Sequence, residues 1–186
     1  MKSIQVLGFS GSLRKGSYNT ALLRLAAEVL PANMTLETFD LAPIPMFNED
    51  VRLAGVPEPV KLFKERIAAA DALLIATPEY NYSIPGVLKN AIDWASRPPE
   101  TSPLDGKPLA IMGGGGAAGT ARAQCHLRQV AAIVNMQTLN RPEVFIPRVW
   151  EKFDANGKLL DDSIRDKIGE LLKSLAEWTL RLRVNA

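Results

Sequence analysis

Hydrophobic and polar positions alternate between two rhythms along this chain. Short, mostly apolar runs at residues 4–9, 72–77 and 108–112 are separated by stretches with apolar residues every three to four positions. Runs of the first kind suit strands of a parallel sheet buried on both faces, and the second kind suits amphipathic helices. Their alternation predicts a sheet built from strand–helix–strand units. The first helix is expected over 19–30, where Leu22, Leu23, Ala26, Val29 and Leu30 share a face and Pro31 follows. Residues 34–39 alternate in polarity and read as a more exposed edge strand. A second helix is expected over 58–70. A third spans 84–96, with Ser83 as its cap and Pro85 in its first turn. Further helices are expected over 120–134 and 162–182, and a fifth strand within 136–146, interrupted near Arg141-Pro142. The result is one α/β domain over 1–186, a doubly wound sheet of five strands with helices on both faces. In such sheets ligands sit at the carboxyl ends of the strands, where strand order reverses. The most unusual connections follow strands one, three and four. Residues 40–57 form a long connection whose Ile44, Pro45, Met46 and Phe47 are expected to pack on a neighbour, on a ligand or on their own domain.

Composition narrows the function classes. Nearly half of the 186 residues are hydrophobic (47%), enough for a sizeable core. The formal charge is +2 and no dense Lys/Arg stripe accompanies it, so no nucleic-acid partner is expected. Cys125 is the one cysteine, which excludes an intramolecular disulfide and a CxxC redox motif. No apolar run approaches the roughly 18 residues of a membrane span. Nor is there a leader-like apolar segment at the N-terminus or a lipidation box at the C-terminus. The expectation is a cytoplasmic protein with no membrane partner.

Three loops carry candidate chemistry. Residues 10–20 hold Gly11 and Gly16 at P-loop spacing, but Ser17 stands where that motif needs Lys. Ser10, Ser12, Ser17, Asn19 and Thr20 nevertheless supply short donors at the start of a helix, whose first amides are unpaired. Arg14 adds a cation, and a hydrogen bond of that kind to a phosphate contributes ~1.5–3 kcal/mol. The loop Pro78-Glu79-Tyr80-Asn81-Tyr82-Ser83 joins two aromatics to backbone donors and a helix start. Those are the features that a flat polar ring such as a flavin requires: surfaces to pack on and donors for its carbonyl edge. Glu79 has no required role as a base, because hydride transfer to a flavin needs none. In the third loop Gly114, Gly116 and Gly119 satisfy GxGxxG, but no acidic residue follows about twenty positions later. Its glycines are expected instead to let the backbone approach the edge of a ligand ring. His126 is the lone histidine, with no cluster for a metal and no GxSxG elbow, so it is read as a packing or interface residue.

The stretches Gly11-Ser12-Leu13-Arg14-Lys15-Gly16-Ser17-Tyr18-Asn19, Thr77-Pro78-Glu79-Tyr80-Asn81-Tyr82-Ser83 and Gly86-Val87-Leu88-Lys89-Asn90-Ala91-Ile92-Asp93-Trp94 resemble the NAD(P)H-dependent FMN reductases. The nearest branch includes bacterial chromate and quinone reductases. Ile44 to Asp50, Ala121-Arg122-Ala123-Gln124 and His126-Leu127-Arg128-Gln129 extend the likeness over most of the chain. The resemblance implies a flavodoxin-like sheet of order 2-1-3-4-5 with noncovalent FMN. Ser10, Ser12, Leu13, Arg14, Ser17, Tyr18 and Asn19 would surround the phosphate; Pro78 to Ser83 and Gly114 would meet the ring. It further implies a NADPH or NADH donor, ping-pong hydride transfer, and small acceptors such as quinones, free flavin, azo compounds or chromate. A homodimer or homotetramer is expected. Two departures stand out: residues 113–116 are all glycine where relatives often carry Ser or other small polar residues, and Cys125 stands where close relatives often carry Tyr. The alternative reading is a flavodoxin-type electron carrier, though such carriers tend to be acidic and this chain is not. A third is an FMN-dependent or nucleotide-binding regulator with no enzymatic activity.

Overall fold

The computed structural model describes residues 3–184. Its central strands are β1 (Ile4–Ser10), β3 (Ala72–Ala76) and β4 (Pro108–Gly114), buried along nearly their whole length. The alternating segment forms β2 (Met34–Phe39), the half-exposed edge. Two short strands, β5 (Gln137–Thr138) and β6 (Val144–Ile146), both pair with β4. All pairings are parallel, in the order β2-β1-β3-β4-β5 with β6 beside β4. The fifth strand is thus broken as expected: β5 covers Pro108 and Leu109, β6 covers Met112 to Gly114, and Arg141-Pro142 falls in the gap. Proline has no N–H to add to a ladder, which accounts for a break there.

The helices are α1 (Tyr18–Glu28), α2 (Glu49–Ala54), α3 (Glu58–Ala69), α4 (Gly86–Ala95), α5 (Ala121–Ile133) and α6 (Ser163–Val184). On one face of the sheet, Ile4, Val6, Leu74 and Met112 pack with α1 and α6. On the other, Leu7, Phe9, Ile75 and Ile111 pack with α3, α4 and α5. Two expectations need correction. The short helix α2, capped by Asn48, lies inside the supposed loop 40–57, and its six residues are too few to show a period. Ser83 does not cap α4: that helix starts at Gly86 after Pro85, because Ser83 is held in a hairpin upstream.

The connection after β2 packs on its own domain. Asn90 of α4 accepts from the Phe47 amide (2.7 Å) and donates to the Pro45 carbonyl (2.9 Å), which also accepts from Trp94 Nε1 (2.8 Å). Phe47 then meets Trp94 edge-on, while Met46 projects into solvent. Strand order reverses between β1 and β3, where Ser10 lies opposite Ala76 and Ala76 opposite Met112. The loops leaving β1, β3 and β4 therefore open side by side at one end of the sheet.

Candidate functional site

The first loop departs from β1 while still bonded to its neighbour, the Gly11 amide donating to the Ala76 carbonyl (2.9 Å). A side chain at Gly11 would press on Thr77 Oγ1 (3.2 Å) and Pro78 Cδ (3.3 Å), so the loops after β1 and β3 touch here. Within the loop three serine oxygens act as acceptors. Ser10 Oγ takes the Ser12 amide (3.2 Å), Ser12 Oγ the Arg14 amide (3.4 Å) and Ser17 Oγ the Thr20 amide (3.3 Å). A hydroxyl that accepts still carries its own proton to donate. Three hydroxyls able to donate thus lie along the loop that leads into α1, Ser17 at its N-cap, and the helix has no acidic residue in its first turn to offset its positive end. The Arg14 guanidinium rests over the Tyr18 ring, 5.2 Å from its centroid, and Tyr18 leans on Phe153. A cleft of about 420 Å³ runs along this loop past Ser10, Ser12, Leu13, Arg14 and Lys15 to Asp40 at the end of β2.

Asn19 has a more specific task than a loop donor. Its Nδ2 donates to the Gly114 carbonyl (3.0 Å) and its Oδ1 accepts the Gly114 amide (2.9 Å), in a position only 4% exposed. One side chain thereby ties the loop after β1 to the end of β4. The glycines there serve close packing more than access. A Cβ on Gly114 would lie 2.5 Å from Val149 Cγ2, on Gly113 it would collide with the Thr77 carbonyl, and on Gly115 with the Gly119 carbonyl. Gly116 alone of the run 113–116 has open space beside it. The expectation that these glycines make room for a ligand therefore transfers to Gly116; at Gly114 the room is taken by Val149.

The loop after β3 forms a two-residue hairpin. The Tyr80 amide donates to the Ser83 carbonyl (3.0 Å) and the Ser83 amide to the Tyr80 carbonyl (2.9 Å). Asn81 and Tyr82 between them have φ of 50° and 65°. Two consecutive left-handed residues are the geometry of a tight hairpin turn; Asn adopts it readily, whereas an aromatic residue costs ~1–3 kcal/mol. Interactions with α5 hold the strained turn. The Glu79 side chain, 8% exposed, accepts from the amides of Arg122 (3.0 Å) and Ala123 (3.2 Å) and from Arg122 Nε (2.6 Å), and also pairs with Arg122 Nη2. Glu79 thus caps α5, whose own Thr120 makes no capping bond. The Arg122 guanidinium lies 3.9 Å from the centroid of the Tyr82 ring, and Ser83 Oγ lies 3.0 Å from His126 Nδ1. Tyr80 and Tyr82 stay 51% and 66% exposed, as platforms rather than core tyrosines.

Ser10, Ser12, Leu13, Arg14, Ser17, Tyr18, Asn19 and the segment from Pro78 to Ser83 therefore gather at one mouth, together with Gly114. Residue-by-residue reasoning missed Arg122, Ala123, His126 and Val149 as supports of that mouth. For Arg122 and His126 the signal was present in the family-like stretch 121–129, but no local pattern says that a helix start would be capped from forty residues away.

The chain is similar to known proteins over nearly its whole length. An NAD(P)H-dependent FMN reductase of Pseudomonas aeruginosa is 56% identical over 181 residues, covering 97% of both chains. A quinone reductase of Escherichia coli K12 is 38% identical over 187 residues, covering 98% of this chain and 99% of the relative. Among solved structures, the flavoenzyme NAD(P)H:(acceptor) oxidoreductase FerB from Paracoccus denitrificans superposes with a TM-score of 0.87 at 33% identity, over 96% of this chain and 98% of that one. The sequence model of the NADPH-dependent FMN reductases matches residues 4–151, a span that holds all three loops, their strands and the helix α5 that Glu79 caps. With its site built from the segments that this span contains, the chain belongs to the NADPH-dependent FMN reductase family.

Proposed function

We propose that this chain binds FMN noncovalently at the mouth formed by the loops after β1, β3 and β4 and passes reducing equivalents from NADPH or NADH to small acceptors, quinones foremost. The observation that carries the reading is the contact of Gly11 with Thr77 and Pro78, which puts a donor-rich, cation-bearing loop against a loop presenting two exposed tyrosines. The residues present fit the cofactor. Three serine hydroxyls able to donate, Arg14 and the start of α1, which has no acidic residue in its first turn, match a phosphate dianion. Tyr80, Tyr82 and the open side of Gly116 suit a planar ring. Ser10, Ser12, Arg14 and Ser17 would hold the phosphate, with Leu13 and Tyr18 flanking it. Asn19 would keep the phosphate loop in register with β4.

When bound, FMN supplies the two-electron chemistry. The protein's share is position and electrostatics. Glu79 and Arg122 fix the hairpin, and the exposed Tyr80 and Tyr82 would flank the flavin ring and leave one of its faces open, where nicotinamide and acceptor would take turns. A flat open surface selects weakly, which is consistent with quinones, free flavin, azo compounds and chromate all serving. Relatives matched end to end carry the names of reductases, which favours an enzyme over an electron carrier. We place the protein in a homodimer or homotetramer, an assembly that sedimentation would report. Among the described residues no helix is long and apolar enough to cross a membrane, and no group of His, Cys, Asp and Glu could hold a metal ion.

The test is an anaerobic titration of FMN-loaded protein. NADPH or NADH should bleach the flavin absorbance, and 1,4-benzoquinone should restore it with two-electron stoichiometry. Loaded protein that stays oxidised with both nicotinamides would end the enzyme reading.

A further inference from the structure

Ser83 and His126 form a pair that the reading above leaves unused. Ser83 closes the hairpin after β3, and its Oγ lies 3.0 Å from Nδ1 of His126 on α5. Both line a second cleft of about 420 Å³ with Ile84, Gly86, Lys89 and Gln129. The imidazole is exposed, and the hairpin presents its hydroxyl partner beside the two tyrosines of the mouth. A hydroxyl bonded to an imidazole is a relay element, because each partner can both give and take a proton.

The proposed reaction requires such an element. A quinone that has accepted hydride is a hydroquinone monoanion, and its remaining oxygen must gain one proton. We propose that Ser83 and His126 supply that proton, an inference that rests on the proposed function. In the loaded state the imidazolium donates its Nδ1 proton to Ser83 Oγ, leaving the serine O–H turned outward. Ser83 passes its proton to the hydroquinone oxygen and takes the Nδ1 proton in the same motion. The products are neutral hydroquinone and a neutral imidazole protonated at Nε2, with Ser83 now donating to Nδ1. Water reprotonates the exposed ring. The charged groups facing His126 are Arg122, one turn earlier on α5 and engaged by Glu79, and Lys89 across the cleft on α4, itself paired with Asp93 (2.7 Å). Tyr80 and Tyr82 belong to the same hairpin as Ser83, and Cys125 precedes His126 on the helix.

The experiment compares two acceptors with FMN-loaded wild-type protein and the variant His126→Gln, which keeps hydrogen-bonding capacity but cannot titrate. Ferricyanide takes electrons without protons, whereas benzoquinone requires them. General acid catalysis typically contributes roughly 100-fold or more. The ratio of quinone to ferricyanide turnover should therefore fall at least tenfold in the variant, and the pH profile of quinone reduction should lose one ionisation. A solvent isotope effect on quinone reduction should shrink with it. His126 is the single histidine, so its NMR titration can be read without assignment; Ser83→Ala should shift that titration and Ser83→Thr should restore it. An unchanged acceptor ratio, or a titration indifferent to Ser83→Ala, overturns the relay alone. FMN-loaded wild-type protein that stays oxidised with both nicotinamides overturns the proposed function, and the relay with it.

Discussion

The tie between Asn19 and Gly114 yields the sharpest expectation. Asn19→Ala removes one donor and one acceptor at a site 4% exposed, and strands both the amide and the carbonyl of Gly114. A buried polar group left without a partner costs about 1–3 kcal/mol. Two of them set the loss at about 2–6 kcal/mol, of which water entering the vacated side-chain volume would recover some. We take about 3 kcal/mol as the working figure. For a chain of this length each kcal/mol moves the melting midpoint by about 2–4 °C, so the midpoint should drop by about 6–12 °C. The measurement must use apoprotein. If Asn19 acted chiefly as a phosphate donor, its removal would weaken FMN binding and leave apoprotein unfolding where it was. If it is a tie, apoprotein loses stability first, and FMN affinity falls because the loop after β1 drifts from β4. Denaturant unfolding of the two apoproteins separates these cases, and coincident midpoints would refute the clamp.

Three further expectations concern neighbouring features. Gly114→Ala forces a Cβ to within 2.5 Å of Val149 Cγ2, an overpacking that should cost ~1–3 kcal/mol; adding Val149→Ala should recover part of it, and strictly additive losses would show that the two residues do not meet. Arg14→Ala should weaken FMN binding by roughly tenfold to a hundredfold, the value of a charge-assisted hydrogen bond, while apoprotein stability changes little; unchanged affinity in a fluorescence titration would remove Arg14 from the phosphate site. The Asp161 carboxyl is held down to about 2 from an ordinary 3.8, first by its hydrogen bond from Lys152 and then by that from Ser163. Because the folded value is the lower one, its contribution is present above about pH 4 and fades as pH falls toward 2. Asp161→Asn should therefore lie below wild type at neutral pH and converge with it in acid; a gap independent of pH would contradict the assignment.

Much of this molecule could be read from periodicity because its central strands are buried on both faces. Residues 72–76 and 108–112 have no alternative as surface segments, and the turns that interrupt them fall where the chain must leave the sheet. The donor-rich loop after β1 was legible for a similar reason, since its cap, glycines and cation are adjacent in sequence. What stayed hidden depends on partners far apart in the chain. Asn19 looked like one more loop donor, yet the residue that gives it meaning is Gly114, 95 positions away. Glu79 showed no role until α5 supplied two amides and a guanidinium from 43 and 44 positions on. The glycine run suggested access for a ligand, whereas its first three members are small because Thr77, Val149 and Gly119 already fill the space.

These long-range ties also explain why a strained hairpin persists at the mouth. Left-handed φ at Tyr82 costs more than a turn residue such as Gly would, so something outside the hairpin must favour it. The Glu79 cap of α5, the guanidinium over Tyr82 and the hydrogen bond between Ser83 and His126 act on three residues in and just before the turn, and their partners all lie in the first two turns of one helix. A rigid helix start thus fixes a loop that would otherwise sample many conformations. That is the condition for an open surface to present a flat ring in one orientation while leaving its face free for exchange of donor and acceptor.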